Sequence, residues 1–329
     1  MIVKTERAFI RSFAAAVGKK EGEGPLGKDF DYIDVDDYFG QKTFEMAESE
    51  SERLALSLAL AKLSLAPSDV DLLIAGDLQN QCVSSAYGLL GFEIPYLGVY
   101  GACSTLTEGM ALGAMLLSGG AARRVALVTS SHNCAAERQF RSPLEYGGQR
   151  TPTAQWTVTG AGGYLLDAAR GDVRIRDCLI GRVTDVGLRD LTDMGAAMAP
   201  AAADTLIRYF TESGTCPADY DAIITGDLGE HGSLLLQKLC RDNDFSLENH
   251  LDCGKLIFRA SQDVHAGGSG CGCIATVFGT KFLPRIARGE MRSVLLLATG
   301  ALMSKGAVAQ GRSIPAVAHL VHLEGVEKL

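Results

Sequence analysis

The sequence lacks any apolar run that could cross a membrane. Its longest apolar runs, such as residues 125–128 and 294–298, are far shorter than the roughly 20 residues that a spanning helix needs, so they indicate buried strands. Residues 1–12 contain four charged side chains and no apolar core of the kind that a secretory signal has. The sequence therefore predicts an intracellular protein without a signal peptide or transmembrane segment, whose association with a membrane would be peripheral.

The chain also lacks an excess of positive charge. Its 31 lysines and arginines face 39 aspartates and glutamates, a formal net charge of -8 that disfavours binding to nucleic acid. The nine cysteines are an odd number without the spacings of a small disulfide scaffold, so they are expected to be free thiols in a reducing compartment. Cys271 and Cys273 do not have the usual zinc spacing, and no metal site is predicted from them.

What the chain does contain is an internal repeat. Residues 71–78, DLLIAGDL, reappear as DAIITGDL at 221–228, and residues 123–129, RRVALVT, resemble RSVLLLA at 292–298. Each is an apolar strand, and the two pairs occur in the same order along the chain. Because helix-like segments alternate with these strands, we predict an α/β fold built from two copies of one unit.

The two copies divide the chain near its middle. Residues 45–65 and 196–210 are predicted to be equivalent helices, one in each copy, because both are rich in strong helix formers. The sequence therefore predicts an N-terminal half, residues 1–170, and a C-terminal half, residues 171–329.

A cysteine occupies the turn between a short strand and a helix in the first copy. Cys103 follows the apolar residues 96–99 and precedes the helix-like run 106–117. Unpaired N–H groups and the positive end of a helix dipole favour a thiolate and lower its pKa, and they can equally hold a carboxylate or an oxyanion. Three roles are open for Cys103: a nucleophile, part of an anion site, or a small buried side chain at a tight turn.

A duplicated α/β unit with Gly-Ala-Cys-Ser at residues 101–104 resembles the thiolase and ketoacyl synthase superfamily, whose nucleophilic cysteine occupies this turn. Cys103 matches that cysteine. The resemblance implies a thiolase-like fold with layers in the order α-β-α-β-α. It also implies a homodimer, since units of this superfamily usually pair through a strand edge.

Longer strings are similar to a narrower family. They are TSSHN at 129–133, AERQFR at 136–141 and EYGGQ at 145–149, with further matches at 198–204, 225–228, 266–271 and 298–302, so that nearly the whole chain is covered. These strings resemble the stage V sporulation protein AD family. The resemblance implies binding of dipicolinic acid (pyridine-2,6-dicarboxylate), free or as its calcium chelate. It also implies help in its uptake into the developing spore, beside other stage V sporulation A membrane proteins and peripheral to the forespore or spore inner membrane.

The groups that acyl transfer needs are incomplete in the sequence. A cysteine nucleophile requires a proton-transfer partner and oxyanion donors, which the superfamily supplies from two loops of the second half. The first loop carries Asp227 where a condensing enzyme would have a histidine, and His231 comes several residues later. In the second, His265 precedes the glycines instead of following them, and the turn at 298–301 lacks the second cysteine of thiolases. We therefore expect a protein without catalysis. The alternatives are a condensing enzyme or thiolase that uses Cys103, and a structural docking subunit of a spore membrane complex.

The predicted ligand site combines the cysteine turn with the polar loop at 130–150. Arginines there could clamp carboxylates, His132 and Asn133 could hydrogen-bond or contact calcium-linked groups, and a tyrosine offers a ring with a polar tip. Two aspartates occupy equivalent turns in the two copies and could face the centre, although turn formation would explain them as well. The arginines could instead pair with Glu137 and Glu145 on the surface. The predicted ligand-binding residues are Asp77, Cys103, Ser104, His132, Asn133, Arg138, Arg141, Tyr146 and Asp227, and no cofactor is expected beyond calcium accompanying dipicolinate.

Overall fold

In the computed structural model, the described residues are 1–140 and 150–326, and at 138–140 only the backbone is described. The strands of this part are β1 Ile2–Lys4, β2 Phe9–Val17, β3 Tyr32–Ile33, β4 Leu72–Gly76, β5 Tyr96–Gly98, β6 Arg124–Ser131, β7 Trp156–Thr157, β8 Gly160–Asp167, β9 Val173–Leu179, β10 Ala222–Thr225, β11 His250–Asp252, β12 Gly268–Ser269, β13 Ser293–Ala301 and β14 Ala316–Gly325. The helices are α1 Lys19–Gly22, α2 Phe44–Ala61, α3 Val83–Gly88, α4 Thr105–Ser118, α5 Asn133–Phe140, α6 Met194–Ser213, α7 Gly229–Arg241, α8 Cys253–Leu256, α9 Cys271–Val277, α10 Leu283–Ala287 and α11 Lys305–Ala309.

The order of strands in the main sheet shows the duplication directly. The order is β11-β10-β13-β14-β9-β2-β8-β6-β4-β5, with β1 paired to β9 and β3 to β2. Read outward from the centre, β2-β8-β6-β4-β5 and β9-β14-β13-β10-β11 are two runs with the same pattern. In each run the outer three strands are parallel to one another and the inner pairs are antiparallel. The predicted α/β fold with two repeated halves is confirmed.

One hydrogen-bonding detail is also duplicated. Asp71, just before β4, accepts hydrogen bonds through Oδ2 from two successive backbone N–H groups at the start of β6, at 2.8 and 2.9 Å. Asp221, just before β10, does the same with the start of β13, at 2.5 and 3.0 Å. Each carboxylate therefore ties the beginnings of two parallel strands together. The division of the chain at residue 170, between the end of β8 and the start of β9, stays a prediction.

The helices lie in three layers around the two halves of the sheet. Leu106 and Met110 of α4 and Ile274 of α9 belong to one core with residues of both halves, so these two helices form the central layer. Helix α2 packs on the outer face of the first half, and α6 and α7 cover the outer face of the second. The layer order is α-β-α-β-α, because each half-sheet buries both faces against helices.

The long helices have clear boundaries. Thr43 caps the start of α2 by accepting the N–H of Met46, and Asp193 caps α6 by accepting the N–H of Ala196. Helix α6 ends at Gly214, which adopts a left-handed φ of 70°. The predicted helices at 45–65 and 196–210 therefore exist, with shifted ends. Within the ranges 1–140 and 150–326, no helix combines the length and the apolar character that crossing a bilayer would require.

Candidate functional site

A pocket opens at the carboxyl ends of the parallel strands, beside the start of α4. Its cavity volume is about 50 Å³, counted as the space open to the centres of water molecules, and the surrounding empty space of about 490 Å³ includes open solvent. Its walls are mostly apolar, with a few hydroxyl and thiol groups. The lining residues are Leu78, Tyr100, Ala102, Cys103, Ala136, Thr157, Met194, Met198, Ser269, Ala301 and Met303.

A tight turn positions Cys103 in this pocket. Ala102 adopts a left-handed φ of 51°, a conformation that costs energy in a residue with a Cβ atom. The hydroxyl of Ser104 donates to the carbonyl oxygen of Gly101 at 2.7 Å, and the hydroxyl of Thr105 donates to that of Ala102 at 2.6 Å. Ser104 is fully buried, and its hydroxyl is used in the hydrogen bond within the turn. It does not line the pocket.

The turn also lies very close to the sheet of the second half. A Cβ atom on Gly300 of β13 would lie 1.9 Å from the carbonyl oxygen of Gly101. Glycine is therefore required there, because any side chain would push the cysteine turn away from β13. The pocket thus depends on direct contact between the two halves.

A carboxylate lies beside the cysteine. Asp227, which follows β10, accepts the hydroxyl of Ser269 at 3.2 Å and the N–H of Gly270 at 2.8 Å through Oδ2. Burial, followed by the charge and hydrogen bonding of Asp227, raises the pKa of the Cys103 thiol well above its usual value. Burial likewise raises the pKa of Asp227, to about 7. The expected lowering of the Cys103 pKa by the helix start is therefore wrong, because burial and the neighbouring carboxylate outweigh the helix dipole.

No imidazole assists the thiol. All six histidines lie within the described residues, and none hydrogen-bonds to Cys103. His132 is buried with Nε2 at 2.9 Å from a backbone carbonyl oxygen, His231 pairs with Asp193 at 2.8 Å, and His265 lies 2.6 Å from another backbone carbonyl oxygen. The other three bond elsewhere: His250 with Thr225, His319 with Gly181, and His322 with Tyr209 and Ser293.

The two equivalent aspartates differ in their surroundings. Asp77, which follows β4, accepts the N–H of Gln79 at 2.8 Å and both the N–H and the hydroxyl of Ser85, at 2.8 and 2.6 Å. It does not line the pocket, and its contacts fit the turn-forming role that its sequence position left open. Asp227 is the one that lies next to the pocket residues Cys103 and Ser269.

The structure places the rest of the predicted site as follows. His132 and Asn133 lie at the end of β6 and the start of α5, and neither lines the pocket. The backbone N–H of Asn133 donates to the hydroxyl of Thr159 at 3.1 Å. Arg138 belongs to α5 by its backbone, but its side chain, together with Arg141 and Tyr146, lies outside the described residues.

Two further buried carboxyl groups belong to α2, on the side of Asp77. A carboxyl oxygen of each lies within hydrogen-bond distance of the Ser130 hydroxyl, at 2.9 Å for Glu48 and 2.8 Å for Glu52. Burial, with the charge of Asp77 next, raises the pKa of Glu48 to about 8 and that of Glu52 in the same direction. Across the described ranges, no cluster of three or more His, Cys, Asp or Glu side chains has an arrangement that could hold a metal ion.

Comparison with known proteins identifies the family. The family model of stage V sporulation protein AD matches residues 1–324. Stage V sporulation protein AD of Bacillus subtilis (strain 168) is 43% identical over 317 residues, which cover 96% of this chain and 94% of that protein. The chain belongs to the stage V sporulation protein AD family.

Several solved structures have similar folds, and condensing enzymes are among them. A variant of OleA from Xanthomonas campestris has a TM-score of 0.63 and 14% identity, covering 98% of this chain and 99% of that one. The 3-oxoacyl-[acyl-carrier-protein] synthase III of Aquifex aeolicus VF5 has a TM-score of 0.57 and 11% identity, covering 96% and 99%. AbyA1, a tetronic acid condensing enzyme, has a TM-score of 0.61 and 17% identity, covering 97% and 100%. At these identities the likeness confirms the thiolase-like fold of this family member and nothing about its chemistry.

Sequence reasoning missed several residues of the pocket. Ser269 stands in the glycine-rich loop, where the sequence pattern drew attention only to His265, and Tyr100 stands three residues before the cysteine. Thr157 and Met194 come from segments without any motif, and Met198 begins a family-like string that assigned it no role, so only the fold brings these three residues to the pocket.

Proposed function

We propose that this member of the stage V sporulation protein AD family binds dipicolinic acid in the Cys103 pocket without transforming it. The observation that carries the proposal is the pairing of Cys103 with Asp227 in a mostly apolar pocket. A carboxylate next to this half-buried thiol keeps the thiol protonated, so the cysteine acts as a hydrogen-bond donor and not as a nucleophile.

The walls of the pocket suit a planar aromatic ring. Leu78, Met194, Met198 and Met303 offer adaptable apolar surface, which the flat faces of a pyridine ring would bury. Their contribution scales with the apolar area removed from water, at about 25 cal/mol per Å².

The polar groups of the pocket suit carboxylates. Burial raises the pKa values of Tyr100 and Cys103, so both keep their protons at neutral pH and can donate. The hydroxyls of Thr157 and Ser269 add two more donors. In the proposed site the arginines at 138 and 141 add the charge that neutral donors do not supply.

The absence of turnover follows from the same contacts. Acyl transfer needs a base that takes the thiol proton and a donor that stabilises the oxyanion. Asp227 works against the first step, because a second negative charge beside a carboxylate is disfavoured. The alternative, a condensing enzyme, predicts an acyl adduct on Cys103 after exposure to acyl-coenzyme A. We expect mass spectrometry to find none, and an adduct would favour the enzyme.

The proposed place of the protein is a membrane complex of the spore. Membership of the family supports a role in dipicolinate uptake, beside other stage V sporulation A membrane proteins and peripheral to the forespore or spore inner membrane. If the protein were only a docking subunit, substitutions that fill the pocket would leave dipicolinate accumulation in spores unchanged. We expect them to reduce it.

A homodimer is part of the proposal. Strand β5 forms one end of the sheet, and its own Leu97 is 42% exposed. In the segment that precedes β5 in the chain, Tyr87 and Leu90 are 74% and 73% exposed. An uncovered strand edge flanked by apolar side chains favours pairing with a second copy. Sedimentation should give twice the chain mass, and Leu97→Lys should give the monomer.

The direct test is calorimetry with dipicolinic acid, with and without calcium. We expect saturable binding by the wild type. Ala301→Leu, which adds a larger side chain to the pocket wall, should abolish it, whereas Ala309→Leu on the exposed part of α11 should not. Absence of saturable heat in the wild type under both conditions would contradict the proposal.

A further inference from the structure

Two donors at the base of the pocket converge on one carboxylate. The Ser269 hydroxyl donates to Asp227 Oδ2 at 3.2 Å, and the Cys103 thiol lies beside the same carboxyl group, whose charge and hydrogen bonding raise the pKa of the thiol. Asp227 is completely buried and does not itself line the pocket. A ligand in the pocket would therefore touch Cys103 and Ser269, with Asp227 directly behind them.

These contacts create a competition for protons. A hydroxyl and a thiol each have one hydrogen to donate, so a group that donates to Asp227 cannot donate to a ligand at the same time. While Asp227 is ionised, it holds both donors. A ligand carboxylate would then face two lone-pair-bearing atoms in an apolar pocket, which costs free energy.

Among the described residues, the groups that act most strongly on Asp227 include no positive charge that would relieve the competition. Asp252, at the end of β11, adds a second buried carboxyl group whose charge raises the pKa of Asp227. Helices α8 and α9 contribute the buried thiols of Cys253 and Cys273, whose pKa values are also raised by burial. From the loop before β7, Gln155 donates its amide N–H to the backbone carbonyl oxygen of Asp227 at 2.8 Å, not to the carboxylate.

We propose that the pocket binds an anionic carboxylate ligand together with one proton, which Asp227 holds while Ser269 and Cys103 turn their hydrogens from Asp227 to the ligand. The proton comes from solvent, and protonated Asp227 donates back to one of the two groups, so every polar atom at the base of the pocket has a partner. Asp227 is thus a positioning residue: it sets the direction in which the two pocket donors point. This inference rests on the proposed function of the pocket.

The pH dependence has a definite sign. The pKa of Asp227 in the free protein is about 7, so most molecules carry the proton already at pH 6 and few do at pH 8.5. Binding is therefore independent of pH below about 7 and weakens about tenfold for each pH unit above it. Between pH values well below 7 and pH 8.5 the dissociation constant of the wild type should rise about 30-fold.

The first test needs no variant. Calorimetry with dipicolinic acid as the probe, at about pH 8 in two buffers that differ in ionisation enthalpy, counts the protons taken up on binding. We expect about one proton to be taken up per ligand bound, because Asp227 is mostly ionised in the free protein at this pH and is protonated in the complex. Binding with no proton uptake would overturn this inference and leave the proposed function standing. Absence of binding at every pH would overturn both.

The second test separates positioning from structure. In Asp227→Asn, the amide oxygen can still accept the N–H of Gly270, and the amide N–H₂ imitates the protonated acid. At every pH this variant should bind with the affinity that the wild type has at low pH. At about pH 8.5 it should therefore bind about 30-fold more tightly than the wild type. Asp77→Asn, the equivalent turn of the first half, should keep the wild-type profile. If both variants keep the pH dependence of binding, or if both lose it, the inference is wrong.

Discussion

Replacing Glu21 with glutamine should make the stability of this protein less sensitive to pH. Glu21 is completely buried and accepts the N–H of Thr159 through Oε1 at 3.0 Å, while Oε2 has no hydrogen-bond partner among the residues that the structure describes. A carboxylate oxygen of Asp37 lies on the same side of Gly18 as Oε2 of Glu21. A Cβ atom added to Gly18 would be in contact with both oxygens. Burial is the main cause that raises the pKa of Glu21 from 4.5 to about 8.

The size of the effect follows from proton linkage. Between pH 4.5 and about 8 the folded protein holds a proton on Glu21 that the unfolded chain has released. The contribution of Glu21 to the free energy of unfolding is therefore largest below about pH 4.5. It decreases as pH rises, by about 1.4 kcal/mol for each pH unit. Over two pH units the loss is about 3 kcal/mol. In Glu21→Gln the amide oxygen keeps the bond to Thr159, and the amide carries no charge in the folded or the unfolded protein.

Urea unfolding at a series of pH values between about 5.5 and 7.5 measures this difference. The unfolding free energy of the wild type should fall as pH rises, and that of Glu21→Gln should fall less steeply. The difference between the two slopes should be about 1.4 kcal/mol per pH unit, which corresponds to one proton. Glu23→Gln, an exposed neighbour, should keep the wild-type slope. Equal slopes in Glu21→Gln and the wild type would refute the reasoning that burial holds a proton on Glu21.

Two further outcomes are expected. Alkylation by iodoacetamide at neutral pH, followed by peptide mass spectrometry, should be slow at Cys103 and faster at the exposed Cys216, because burial and Asp227 keep the Cys103 thiol protonated; preferential labelling of Cys103 would indicate a thiolate. Gly300→Ala should cost at least about 2 kcal/mol of stability and weaken dipicolinate binding, since its Cβ atom would press on the cysteine turn. Gly306→Ala, where the nearest atom would be 3.7 Å away, should not destabilise, and an equal effect of both substitutions in thermal unfolding would contradict this account.

The duplication of the fold could be predicted from sequence because its signals are local. A buried parallel strand is a short apolar run, and Asp71 and Asp221 stand before such runs in both copies. The structure shows why these aspartates recur, since each ties two strand starts together.

The chemistry of the pocket could not be predicted in the same way. Asp77 and Asp227 have the same local sequence, Gly-Asp-Leu, but one meets Ser85 of α3 and the other meets Cys103 and Ser269. The difference comes from segments far away in the chain. The pKa of Cys103 shows the same limit, because the helix start that favours a thiolate is visible in sequence, whereas the burial that opposes it is not.

The most direct test of the central claim is a crystal structure of the protein soaked with dipicolinic acid. We expect the pyridine ring among the apolar side chains of the Cys103 pocket, one carboxylate within hydrogen-bond distance of Ser269, and no covalent bond to the sulfur. A ligand bound only elsewhere, or a sulfur that has been acylated or has moved away from Asp227 toward an imidazole, would contradict it.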